Sequence, residues 1–181
     1  MNKYFSLDID GPISNYPECW CNFINMQQDI NFQSKEEAKK YLGKEKYFEI
    51  KELYRTSGYK GNLPLNDGIH DLIDFIYSND YKILLMTSRP FLNYPGLFEL
   101  TQRWLKKNNI NYEVLLEKNS ENIDKYYKIH YHVDDEIEQC QPFINQKIRC
   151  FLLNKDNSKE SINGITKIDH LSDIYKILNK N

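Results

Sequence analysis

The chain has 181 residues, with 24 Lys and Arg against 26 Asp and Glu, a formal charge of −2. The signs are interspersed and no apolar stretch reaches the length of a bilayer span, so neither a nucleic-acid polymer nor a membrane is expected as a partner. One ordinary domain, or a core with an insertion, fits this length, and the Asn2-Lys3 start is not that of a signal peptide, which makes a cytoplasmic location the expectation.

Taken in chain order, the first predicted strand covers 3–8, where Tyr4-Phe5-Ser6-Leu7 runs into Asp8-Ile9-Asp10-Gly11. The next fifty or so residues hold no convincing strand. Helical stretches are predicted at 18–28, from the capping-box pattern Ser34-Lys35-Glu36-Glu37 onward, and at 45–54, with Gly58, Gly61 and Pro64 marking the exit. Such a length is too great for a loop. A small α-helical cap at 15–65, inserted after the first strand, is therefore expected, with 1–14 and 66–181 forming the core. The spacing of Ile69, Leu72, Ile73 and Ile76 predicts an amphipathic helix, followed by a fully apolar strand at 81–87. Leu97, Leu100, Trp104 and Leu105 repeat the helical stripe. Further strands are predicted at 112–116, 130–134 and 148–153, a helix at 120–128, and a polar surface loop at 157–164. Strands alternating with helices argue for a Rossmann-like α/β fold: an open parallel five-stranded sheet with helices on both faces.

The four cysteines, Cys19, Cys21, Cys140 and Cys150, lack zinc-site spacing and read as buried reduced thiols. The carboxylates are more informative. Asp8 and Asp10 follow the first strand, and Asp134-Asp135 follow the fourth. Strand ends of a parallel sheet converge on one edge, where α/β proteins place their chemistry. Carboxylates gathered there repel unless a cation sits among them, and oxygen-only ligands suit Mg²⁺. His130-Tyr131-His132 offers a competing transition-metal reading, since alternation sets His130, His132 and Asp134 on one face. Imidazoles midway along an interior strand are more often hydrogen-bonded packing residues.

The order Asp8-x-Asp10-Gly11, then Thr87-Ser88-Arg89, then a lysine, then Asp134-Asp135 resembles the haloacid dehalogenase-like phosphohydrolase superfamily. Leu63-Pro64-x-x-Asp67-Gly68, Met86-Thr87-Ser88-Arg89-Pro90 and Thr101-x-x-Trp104-Leu105 resemble its 5′(3′)-deoxyribonucleotidase-like branch. The resemblance extends from Lys3 to about Phe151. Pro12 departs from it, standing where relatives usually carry Thr or Val.

The resemblance implies a Mg²⁺-dependent phosphomonoesterase acting through an aspartyl-phosphate. Asp8 would be the nucleophile and Asp10 the general acid and base, with the cation held by Asp8, the Asp10 backbone carbonyl, Asp134 and Asp135. Thr87 and Ser88 would hydrogen-bond the phosphoryl group, and Arg89 is a further candidate for phosphate contact. A lysine completes the site. Lys118, after the third strand, is favoured over Lys125, which falls in a predicted helix. The implied substrate is a (deoxy)nucleoside monophosphate, its base stacking on Tyr16 or Trp20 of the cap. A sugar phosphate or other small phosphoester is the alternative within enzymes, and a non-catalytic phosphate-binding protein the alternative outside them. The oligomeric state stays open, a homodimer included.

Overall fold

The computed structural model describes residues 2–118, 123–153 and 163–179, with the side chains of residues 124 and 125 outside that description. Strand β1 (Lys3–Asp8) is buried from Tyr4 onward and ends at Asp8, so Asp10 lies in the turn beyond it. Five further strands complete the sheet: β2 (Tyr81–Thr87), β3 (Val114–Glu117), β4 (Lys128–Asp134), β5 (Arg149–Leu153) and β6 (Ile165–Ile168). All pair in parallel, in the order β3-β2-β1-β4-β5-β6. The sheet is thus six-stranded, not five-stranded as expected. The missed strand, Ile-Thr-Lys-Ile, has too few residues for its alternation to stand out, and its identity depends on pairing with β5.

Strand order explains where chemistry collects. The chain fills the sheet outward from β1 through β2 to β3, then crosses to the other side of β1 to lay down β4. The loops after β1 and β4 therefore leave in opposite directions, opening a crevice at their carboxyl ends. Asp8 and Asp134 are the last residues of those two strands.

Strand β3 begins at Val114 rather than 112, because Glu113 uses its carboxylate to accept the Ile83 N–H at 2.6 Å. Strand β4 carries a bulge: Tyr4 pairs with Ile129 and Phe5 with Tyr131, which leaves His130 without a register partner on β1. The extra residue puts Ile129 on the same face as His132 and Asp134 and sets His130 apart from them, against simple alternation. The predicted helix at 120–128 is observed as α5 (Ile123–Tyr126); residues 120–122 lie outside the described set, as does 157–162 of the expected polar loop.

The chain divides into two compact units. One, Met1–Ile13, Asn66–Ser88 and Ile110–Asn181, contains the sheet. In it α6 (Ile137–Asn145) brings Cys140 and Phe143 onto Tyr4, Leu84, Met86, Cys150 and Leu152. The stripe Ile69, Leu72, Ile73 and Ile76 is the buried side of α3 (Ile69–Ser78), which lies against β2 and beside α7 (Ser172–Leu178).

The other unit is helical and comprises Ser14–Leu65 together with Arg89–Asn109. Helix α1 (Glu18–Gln28) packs on α2 (Lys35–Thr56), which Ser34 opens by accepting the Glu37 N–H at 3.1 Å and which is interrupted at Gly43, φ 72°. Tyr59–Asn62 form a 3-10 turn against α4 (Pro95–Lys107). The close approach there needs Gly61, since a Cβ would fall 2.5 Å from Leu100 Cδ1. A Ser14–Leu65 antiparallel bridge and the Asn15 N–H to Pro64 O bond, 3.0 Å, join the ends of the long segment. Among the described residues no helix is long and apolar enough to cross a membrane.

Trp20 is at the centre of the helical unit. It is 2 % exposed, donates its indole N–H to Tyr47 Oη at 2.9 Å, and packs on Phe23 and Tyr54. Trp20→Ala removes this ring and its hydrogen bond together, and is expected to cost about 3–5 kcal/mol in urea unfolding. A loss below about 1 kcal/mol would show that the ring is not a core element.

Candidate active site

Four ionisable side chains meet where β1, β3 and β4 end. Register delivers Lys118: Thr87 pairs with Glu117, and the Lys118 N–H continues the ladder by donating to Thr87 O at 2.8 Å. From there the ammonium reaches 3.0 Å from Asp8 Oδ1 and 2.7 Å from Asp134 Oδ2. Asp135 joins them, so that one oxygen each from Asp8, Asp134 and Asp135 lies within 4.8 Å of the others.

Burial makes this arrangement tense. Asp8 is 4 % exposed and the Lys118 side chain 8 %. Desolvation, then repulsion from Asp134, lifts the Asp8 pKa well above the carboxylate range, and Lys118 offsets only part of this. Asp135 is pushed up to about 8 by burial first and by Asp134 and Glu136 next. Burial acts on Asp134 in the same direction, but the His132 hydrogen bond and the Lys118 charge outweigh it and hold that group below its ordinary value. For Lys118, desolvation is outweighed by Asp8 and Asp134, which raise its pKa.

The donor set fits a hard divalent cation. With all three carboxylates ionised and one ammonium present, two negative charges remain uncompensated. Among the described residues the buried Asp8 Oδ1 accepts no hydrogen bond, although the Lys118 ammonium stands 3.0 Å from it. An oxygen-only set with a spare buried acceptor suits Mg²⁺ better than a soft metal.

Gly11 keeps the loop after β1 close to this cluster. Its φ is +117°, and a Cβ built on it would stand 2.4 Å from Asp135 Cγ and Oδ1. The Asn66 side-chain amide holds the same loop by donating to Gly11 O at 2.9 Å, while the Asn66 N–H donates to Ile13 O at 2.8 Å. Asn66 carries no motif signal and was legible only once residues 55 positions apart were in contact.

The other expected site residues fall differently. Thr87 is fully buried at the end of β2, and Ser88 is exposed one residue on. Asp10 is half-buried in the turn; its carboxylate is not among the clustered oxygens, and it adds to the charge felt by Asp8. Lys125 has its backbone in α5, with its side chain outside the described residues. Arg89 is closed into the helical unit, 2 % exposed, donating to Thr101 Oγ1 at 2.9 Å with its guanidinium 5.5 Å from the Trp104 ring centroid. The Thr101-x-x-Trp104 pattern is thus an arginine seat, held in turn by Thr101 Oγ1 to Leu97 O and Trp104 Nε1 to Leu63 O. Trp20 is occupied within its unit, whereas Tyr16 is half-buried with the Lys35 ammonium 5.6 Å over its ring. His132 binds Ser6 and Asp134, and His130 packs edge-on to Tyr81. All four cysteines are buried thiols.

No protein-family model matches the chain, and no curated protein matches it. Solved structures do. A hydrolase of the haloacid dehalogenase-like family from Streptococcus pneumoniae superposes with a TM-score of 0.65 at 10% identity, over 98% of both chains. YfnB from Bacillus subtilis, a magnesium-bound structure carrying the name HAD-hydrolase, gives 0.61 at 14% identity over 98% of this chain and 100% of its own. A HAD phosphatase from Thermococcus onnurineus gives 0.59 at 16% identity over 97% of each. At these identities the likeness concerns the fold alone.

Mg²⁺ is expected to raise the thermal unfolding midpoint, by the equivalent of about 2.7 kcal/mol at a hundredfold excess over its dissociation constant, and EDTA to reverse the gain. In Gly11→Ala the added methyl meets the Asp135 carboxylate, so the Mg²⁺-dependent increment should largely vanish. An equal increment in both proteins would remove Asp135 from the cation site.

Proposed function

We propose that this chain is a Mg²⁺-dependent phosphomonoesterase that turns over through an aspartyl-phosphate on Asp8, with a (deoxy)nucleoside 5′-monophosphate as substrate. The observation that carries the reading is the buried Asp8 carboxylate at the end of β1, with Lys118 Nζ 3.0 Å away and Asp134 and Asp135 completing an oxygen cluster. A nucleophile that must approach a phosphate dianion needs such compensation of charge. The haloacid dehalogenase-like fold supports it independently. The nucleotide rests on the sequence patterns around Pro64, Thr87 and Trp104.

In this mechanism an Asp8 carboxylate oxygen bonds to phosphorus as the bond from phosphorus to the leaving alkoxide breaks, and the alkoxide takes a proton from Asp10. Asp10, now ionised, removes a proton from water. The water oxygen then bonds to phosphorus, the bond to Asp8 breaks, and inorganic phosphate departs with Asp8 restored. Lys118 compensates charge on Asp8 and the phosphoryl oxygens, and Thr87 and Ser88 donate hydrogen bonds to them. Bound Mg²⁺, held by the Asp8, Asp134 and Asp135 carboxylates and the Asp10 carbonyl, would supply Lewis-acid stabilisation of that same charge.

Asp8→Asn separates chemistry from stability. A carboxamide cannot form the acyl-phosphate at a useful rate, so phosphate release should fall to background. Because burial and Asp134 disfavour the Asp8 charge in the fold, the same variant should unfold at a higher temperature than wild type in EDTA at pH 7. Turnover near the wild-type rate would sink the nucleophile assignment.

Substrate class is tested by a panel of nucleoside monophosphates, sugar phosphates and p-nitrophenyl phosphate, with Mg²⁺ and with EDTA. Nucleotides are expected to give the highest kcat/KM. Since Trp20 is occupied in its own core, Tyr16 is the ring to vary. Tyr16→Ala should raise KM for the preferred nucleotide roughly tenfold to a hundredfold while leaving p-nitrophenyl phosphate nearly unchanged. Equal losses on both substrates would mean that Tyr16 recognises no base.

A further inference from the structure

Ser6 and His132 are register partners on β1 and β4, and both are fully buried. His132 Nδ1 lies 3.0 Å from Ser6 Oγ, and Nε2 lies 3.1 Å from Asp134 Oδ2. The imidazole stacks on Phe143 of α6, ring centroids 3.8 Å apart at 17°. An ionised Asp134 can only accept, so Nε2 carries a proton and donates to it; with Nδ1 unprotonated, the Ser6 hydroxyl donates to that nitrogen. The result is a directed chain, Ser6 Oγ–H to His132, then His132 Nε2–H to Asp134 Oδ2. The Glu136 N–H donates to the other oxygen, Asp134 Oδ1, at 3.0 Å.

The chemistry proposed above makes no use of His132. For packing alone, an apolar residue between β1 and Phe143 would avoid desolvating two ring nitrogens. The bulge at His130 nevertheless aims this ring so that both nitrogens are satisfied and one bond ends on a carboxylate of the charged cluster. We propose that His132, itself oriented by Ser6, is the positioning residue of the cation site. It holds the Asp134 carboxylate in the rotamer that places its oxygens for Lys118 and the cation. It acts through Asp134 and touches no reacting atom. The inference rests on the reading of Asp8, Asp134 and Asp135 as cation ligands.

Three variants of the full chain test it, with Mg²⁺ binding followed by isothermal titration calorimetry. His132→Phe preserves the stack on Phe143 and removes both hydrogen bonds; Mg²⁺ affinity should fall about 10–100-fold. His132→Gln returns an N–H donor near the position of Nε2 and should recover affinity to within about fivefold of wild type. Ser6→Ala removes only the outer bond and should fall between them. In turnover, His132→Phe should lower kcat at fixed Mg²⁺ while KM for the phosphoester moves less than about threefold, since ground-state phosphate binding is untouched. Wild-type Mg²⁺ affinity in folded His132→Phe overturns the proposal, as does a Gln variant as impaired as the Phe variant. If His132→Phe does not fold, unchanged affinity in Ser6→Ala overturns it equally. A wild-type chain that takes up no Mg²⁺ overturns instead the cation-site reading beneath it.

Discussion

A buried imbalance of charge at the ends of β1 and β4 is the constraint around which the sheet unit is organised. Three carboxylates share that space with one ammonium, and the electrostatic consequences are visible in each partner. Asp8 and Asp135 are driven toward their neutral forms, Asp134 is held ionised, and Lys118 is held cationic. A site selected for stability alone would replace such a cluster with apolar side chains of similar volume. Its presence is accounted for by the proposed reading, in which a cation and a phosphate are bound there.

Buried charge in the helical unit has the opposite character. Arg89 is as enclosed as Asp8, yet its guanidinium has Thr101 as acceptor and Trp104 as a π-face, and those two residues are themselves fixed by Leu97 O and Leu63 O. These four contacts lie inside the helical unit. Asp8 Oδ1 is buried and accepts no hydrogen bond among the described residues. A satisfied network rigidifies a fold, whereas an unsatisfied acceptor of this kind points to a missing partner.

Backbone geometry sets how closely the cluster can gather. Lys118 is delivered by one extra rung of the β2–β3 ladder, and Gly11 lets the loop after β1 press against Asp135 where no side chain would fit. The bulge in β4 turns His132 and Asp134 to the face that Ser6 and Asp8 share. Each of these sets where a charged atom of the cluster lies.

Local pattern was sufficient for much of this molecule. Apolar runs located β1 and β2 to the residue, the Ile69–Ile76 stripe located α3, and the position of Asp8, Lys118 and Asp134 at strand ends marked them as candidates for one edge. These signals are carried by nearest neighbours in sequence, because strand and helix periods repeat within a few residues. What depended on partners distant in the chain was decided only in the folded state. Ile165–Ile168 is a strand because β5 offers it an edge; His130 is a bulge because of how β4 meets β1; Arg89 and Trp20 turn inward because Thr101, Trp104 and Tyr47 await them. Residue types told which side chains were capable of chemistry. Long-range packing chose among them, since whether a lysine neutralises Asp8 or an arginine holds a loop is a matter of which atoms lie within about 3 Å, and no local periodicity encodes that distance.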